Sequence, residues 1–95
     1  MRFNLSSNPK RHAEVARALG ITWNGKDENI ASLGIEKIEA LSKACGIPQR
    51  LSEIGITVDV LPELADIAMK VTRLLKNNPR EVTKEDAINI YKKLL

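Results

Sequence analysis

Two apolar stripes run side by side between Asp59 and Asn77. Val60, Leu64, Ile67, Val71 and Leu74 form one; Leu61, Ala65, Ala68, Thr72 and Leu75 form the other. Spacings of three and four residues are the period of an α-helix, and two adjacent stripes make an apolar face too wide to leave in water. The pattern predicts one long helix from about Asp59 to Asn77 at the centre of an all-α domain. Leu64 is expected in its core, where truncation to alanine costs about 2–5 kcal/mol.

The rest of the chain reads as shorter helices between stop signals. Asn8-Pro9 starts one: asparagine caps free amides of the first turn, and proline has no amide to satisfy there. Ala13, Val15, Ala16 and Leu19 follow, and Gly20 ends it. Asn24-Gly25 marks a turn. A second helix is predicted from Asp27 to Cys45, with Ile30, Leu33, Ile38, Leu41 and Cys45 on one stripe and Ile35 and Ala44 broadening it. Gly34 inside it costs about 1 kcal/mol against alanine, which close helix contact can offset. A short helical turn follows from Gln49 to Ile54, closed by Gly55. Asn78-Pro79-Arg80 stops the long helix, and a connection of three residues leads to a last helix capped by Thr83. Asp86 stands where a capping box needs its acid. No strand pattern and no repeat interrupts this reading, which amounts to a small bundle of four to five helices in a single domain, residues 1–95.

Composition agrees. With 95 residues, 43% apolar content but only 3% aromatic, the core is aliphatic and modest. A single cysteine, Cys45, allows no internal disulfide and fits a reducing, cytoplasmic setting. No apolar run approaches the ~20 residues that span a bilayer, so no membrane partner is expected. The net charge of +3 comes from interspersed acids and bases, the pattern of a solvated surface.

Candidate chemistry is sparse. His12, the one histidine, has no partner at ligand spacing and reads as a surface residue. Cys45, on the apolar side of its helix, reads as a packed core cysteine. Glu36 and Glu39 lie on a polar face, and Glu85 and Asp86 suit the start of the last helix. Five scattered glycines form no phosphate loop. The stretch LSKACGIPQRLSEIG, Leu41 to Gly55, has the outline of a helix-turn-helix, but its second helix meets Gly55 too soon and carries only Arg50 as a cation. Nucleic acid is disfavoured as a partner.

Several spaced motifs nevertheless occur in a recognisable order. The chain opens with MRFN, continues with NPKRHAEVARALG, then LSKACGIPQRLSEIGI, and closes on NNPREVTKEDAINIY. Together these resemble the helical C-terminal segment of iron-containing alcohol dehydrogenases. The family's entry reads VMRFN, its middle segment matches Gly46, Ile47, Pro48, Leu51, Gly55 and Ile56, and its end is an Asn-Pro-Arg followed by a Thr-capped helix ending in tyrosine. The resemblance implies an NAD(P)-dependent alcohol oxidoreductase with a Rossmann-like N-terminal domain and an iron or zinc ion held by one aspartate and three histidines. It places those histidines and the cofactor loop upstream of the MRFN entry, so the chain is expected to be a fragment, inactive alone, with no catalytic, cofactor-binding or metal-binding residues of its own. One position carries over. Four residues before the asparagine of Asn-Pro-Arg, many relatives place a cysteine facing the substrate cleft; here that position is Leu74, which implies an apolar pocket wall. Expected partners are a second copy, through apolar helix faces, and the N-terminal part of such a dehydrogenase. The alternative reading is a free-standing helical module that binds protein or nucleic acid.

Overall fold

The computed structural model describes all 95 residues, Met1–Leu95, and every regular element is helical. There are six α-helices: α1 (Arg2–Leu5), α2 (Pro9–Ala18), α3 (Asp27–Ala44), α4 (Leu61–Met69), α5 (Thr72–Asn77) and α6 (Lys84–Lys93), with 3₁₀ turns at Leu51–Ile54 and Val58–Val60. The chain forms two compact units, Met1–Ile47 and Pro48–Leu95.

The first unit is built on α2 and α3. The Asn8 side chain accepts the Arg11 N–H at 3.2 Å, and Pro9 opens the helix as its sequence position demands. Gly20 adopts a φ of +97°, the left-handed stop that a residue with a Cβ resists. Ala13, Ala16 and Ile30 form the buried cluster, with Ile21 packed against it. Gly34 explains why these helices pack so closely. A Cβ added there would lie 2.5 Å from the Ala16 Cβ and 2.9 Å from its Cα. The glycine read from the sequence as a contact point is one.

Two ion pairs brace the unit. Arg2 reaches Glu39 at 2.9 Å from α1, and Arg17 reaches Asp27 at 3.7 Å between α2 and α3. All four side chains are about half exposed, so each pair contributes only ~0–1 kcal/mol. Helix α1 was not anticipated from the sequence; four residues are too few to show a period.

Cys45 departs from its sequence reading. It is exposed at the end of α3, not packed in a core. The reason is length: at 1.5 Å per residue, α3 runs about 27 Å and α2 about 15 Å. The last turns of α3 extend past their partner within this unit, and Leu41 and Ile47 are left exposed with Cys45.

In the second unit α4 packs on α6. Leu61, at 1% exposure, and Ala65 are the buried residues of α4, and Ala87 is that of α6. Lys84 and Asp66 pair at 2.7 Å across the two helices. The C-terminal end of α6 is closed by the first 3₁₀ turn: the Leu51 N–H donates to the Leu94 carbonyl at 2.7 Å, and the Ser52 hydroxyl to Leu95 O at 2.9 Å. The first of these bonds satisfies a carbonyl that the helix end leaves without a partner.

The single long helix expected from Asp59 to Asn77 is not formed. A 3₁₀ turn occupies Val58–Val60, and the remainder splits into α4 and α5. At the break, the N–H groups of Lys70 and Val71 bond back only three residues, to Ile67 and Ala68, each at 3.1 Å. Val71 then leaves helical geometry at φ −82°, ψ 62°. No glycine or proline marks the place. The β-branched pair Val71-Thr72, of slightly lower helix propensity, sits at the break. The longest helix is instead α3. The core stripe differs too: Leu61 and Ala65 face inward, whereas Leu64 is only half-buried and Ile67 is 54% exposed.

Two stability predictions follow from these placements. Leu61→Ala should cost about 2–5 kcal/mol in denaturant melts, and Leu74→Ala, on an exposed position, less than ~1 kcal/mol; equal effects would refute the assigned inner stripe. Gly34→Ala should destabilise by about 1–3 kcal/mol despite alanine's better helix propensity, because the Ala16 backbone cannot yield. Adding Ala16→Gly should restore part of that loss, and a stabilised Gly34→Ala variant would disprove the close contact.

Candidate functional site

A groove open to solvent lies beside the interrupted helix in the second unit. Past the break, the Leu74 and Leu75 N–H groups both bond to the Val71 carbonyl at 3.2 Å, which starts α5 again. Asn78 then turns extended, at φ −69° and ψ 137°, because the residue before a proline disfavours helix. The connection to α6 runs over residues 78–83 and is thus six residues, twice the length read from the sequence. The Asn77 side chain donates to the Arg73 carbonyl at 3.1 Å, and the Asn78 side chain donates to the Arg80 carbonyl.

Thr83 and Asp86 fix the far end of this connection. The Thr83 hydroxyl accepts the Asp86 N–H at 3.1 Å and donates to the Asp86 carboxylate at 2.9 Å, while the Thr83 N–H donates to the same carboxylate at 3.0 Å. This is the capping box expected from the sequence. The Thr83 backbone and side-chain bonds hold the Asp86 carboxyl below its ordinary pKa, with the Arg80 charge as a lesser cause. Asp59 is lowered in the same way by the Thr57 hydroxyl.

The resulting groove has a volume of about 430 Å³ and is lined by Ala68, Val71, Leu74, Leu75, Asn78, Val82 and Tyr91. Five of the seven are aliphatic, and the site is open to solvent. Leu74 is 62% exposed and stands on the groove's wall. Val82 and Tyr91 join it from the loop and from α6. Neither could be assigned to a site from sequence spacing, because the groove exists only where the stripe is broken and the chain folds back.

The remaining candidates stand apart from it. His12 lies on α2 of the first unit, with its Nδ1 donating to the Asn8 carbonyl at 2.9 Å. Cys45 follows α3, also in the first unit. No group of three or more His, Cys, Asp or Glu side chains converges anywhere. The chain's donors therefore do not fit an iron or zinc ion. The helix-turn-helix outline dissolves as well: after α3 ends at Ala44, its second member is a four-residue 3₁₀ turn, Leu51–Ile54. No helix is long and apolar enough to cross a membrane.

Comparison with known proteins places these observations in a family. The C-terminal family model of the Fe-containing alcohol dehydrogenases matches residues 1–95. The chain belongs to that family, within its C-terminal region. It is 30% identical over 92 residues to lactaldehyde reductase of Escherichia coli K12, and 32% identical over 92 residues to 1,3-propanediol dehydrogenase of Citrobacter freundii; each match covers 96% of this chain and 24% of the relative. A probable NADH-dependent butanol dehydrogenase of Bacillus subtilis is 36% identical over 94 residues, 97% of this chain and 24% of its own length. The crystal structure of a 1,3-propanediol oxidoreductase superposes with a TM-score of 0.85 at 29% identity, over 99% of this chain and 25% of that one. The chain thus spans about a quarter of the length of the relatives it matches.

The capping box has a pH signature. Because the folded-state pKa of Asp86 is depressed, its contribution is present above the unfolded aspartate value and is lost as pH falls through the folded value. Asp86→Ala should therefore lower stability at pH 7 and shrink the loss on acidification. Urea melts at pH 7 and pH 3 with an unchanged acid-induced loss would show that this carboxylate is not held by Thr83.

Proposed function

We propose that this chain is the C-terminal helical part of an iron-dependent, NAD(P)-linked alcohol dehydrogenase, and that it supplies an aliphatic wall beside the substrate. The family match along all 95 residues carries the reading. The position of Leu74 on the groove supports it, since the resemblance puts that residue on the cleft side. The relatives named for lactaldehyde, 1,3-propanediol and butanol support a substrate class of small alcohols and their aldehydes.

In this reading the metal and the dinucleotide are held by other parts of the dehydrogenase. The chain's single histidine and single cysteine do not converge with acids into a metal site. No step of hydride transfer is assigned to its residues, and alone it does not oxidise alcohols. Its contribution is shape: the break at Lys70–Val71 and the Asn78-to-Thr83 connection hold Leu74, Leu75 and Val82 around the groove. The exposed apolar end of α3, at Leu41, Cys45 and Ile47, serves association with the rest of the enzyme or with another copy. A reducing, cytoplasmic setting suits the unpaired cysteine.

A segment exchange tests this. The matching 92 residues of the Citrobacter freundii 1,3-propanediol dehydrogenase are replaced by the corresponding residues of this chain. The hybrid should bind metal and turn over an alcohol with NAD, while the isolated chain does neither. A folded, metal-loaded hybrid with no turnover of any alcohol, or a tightly bound ion on the isolated chain that is lost with His12→Ala, would overturn the reading.

A further inference from the structure

The Asn24-Gly25 pair lies in the connection between α2 and α3, outside both helices, and both residues are exposed. An asparagine is a latent electrophile: the main-chain nitrogen of the next residue can attack its side-chain Cγ, and a glycine there leaves that nitrogen unshielded and its backbone free to rotate. The Asn24 amide and the Gly25 N–H make no hydrogen bond within the chain, so neither reacting group must first leave a partner. Gly25 does not take the positive φ of Gly20, Gly46 and Gly55, so backbone geometry does not demand glycine at this place.

The other six asparagines lack this combination. Asn8 and Asn78 precede prolines, which have no N–H to give up. Asn4, Asn29 and Asn89 lie inside helices, before the bulky Leu5, Ile30 and Ile90, and would react only after local unfolding. Asn77 has its amide on the Arg73 carbonyl, and the N–H that follows it is bonded to the Leu75 carbonyl at 3.2 Å.

We propose that Asn24 is a site of spontaneous covalent modification, converting to aspartate and isoaspartate through a cyclic imide. The Gly25 nitrogen bonds to Asn24 Cγ, and the side-chain nitrogen leaves as ammonia, carrying the Gly25 amide proton. One water then opens the five-membered ring. Breaking the bond from Gly25 N to Cγ gives aspartate; breaking that to the main-chain carbonyl gives isoaspartate. No oxidant or reductant takes part. Either product lowers the net charge of +3 by one. Isoaspartate also lengthens the α2–α3 connection by one backbone carbon, directly beside Trp23, whose Cζ3 lies 3.2 Å from where a Gly25 Cβ would stand. Trp23 is the chain's sole tryptophan, so its emission reports the change.

The test incubates the folded 95-residue chain for days at mildly basic pH, followed by peptide mapping and assay with an isoaspartyl methyltransferase. The peptide holding Asn24 should gain the mass of NH2 replaced by OH, with isoaspartate in excess, and Trp23 emission should shift in step. The six other asparagines should stay intact. Gly25→Ala meets only the exposed Trp23 ring, which can move, and should lose most of the conversion while keeping the fold. Asn24→Gln should lose it entirely. Conversion at Asn24 only in urea, aspartate without isoaspartate, faster conversion at another asparagine, or an unchanged rate in Gly25→Ala would overturn the proposal.

Discussion

Close approach of short helices through small side chains is the constraint on which the rest depends. Ten-residue helices cannot bury enough surface unless their axes come near each other, and large residues at every crossing would hold them apart. In the first unit, Gly34 leaves room for Ala16, and Ala13 and Ile30 then close the core. In the second unit the buried set is similar in kind: Leu61 and Ala65 on α4, Ala87 on α6. Each unit contains one large, fully buried aliphatic side chain, Ile30 or Leu61. Burial of such a side chain is worth about 1.5–3 kcal/mol, a large share of what a core this small supplies.

The second unit converts a local weakness into a surface. Were residues 59–77 one helix, Val71 and Leu74 would continue a straight stripe. Because the hydrogen-bond ladder tightens at Lys70 and Val71 and restarts at Thr72, they line a groove instead. The connection that closes it is held at both ends by side chains bonding to the main chain: Asn77 and Asn78 at the start, Thr83 and Asp86 at the finish. The shape of the groove thus depends on backbone satisfaction.

The chain spans a quarter of the length of its relatives in the iron-containing alcohol dehydrogenases. Its stability and the shape of its groove come from the same devices: the caps, the proline stop and the small-residue seam. A substitution at Asp86 or Asn78 is therefore expected to disturb the groove wall and the fold together, whereas a change at Leu74 alters the wall alone.

The helical class was legible in the sequence because period, caps and stops are local: Asn8-Pro9, Gly20, Thr83 with Asp86, and Pro79 all act on their own neighbours. The family, too, could be read from spaced motifs. Gly34 signalled a close contact because a glycine inside a helix needs a reason. What the sequence could not decide was which of two equal apolar stripes faces inward. Leu61 and Leu64 are equivalent by periodicity, and only the packing of α4 on α6 chose Leu61. Nor could it show that α3 outruns its partner and leaves Cys45 in water, since that depends on the lengths of two helices laid side by side. The break at Val71 was hidden for the same reason. A helix tolerates a β-branched pair or yields at it according to the energy of its tertiary contacts, and those come from residues distant in the chain, such as Val82 and Tyr91.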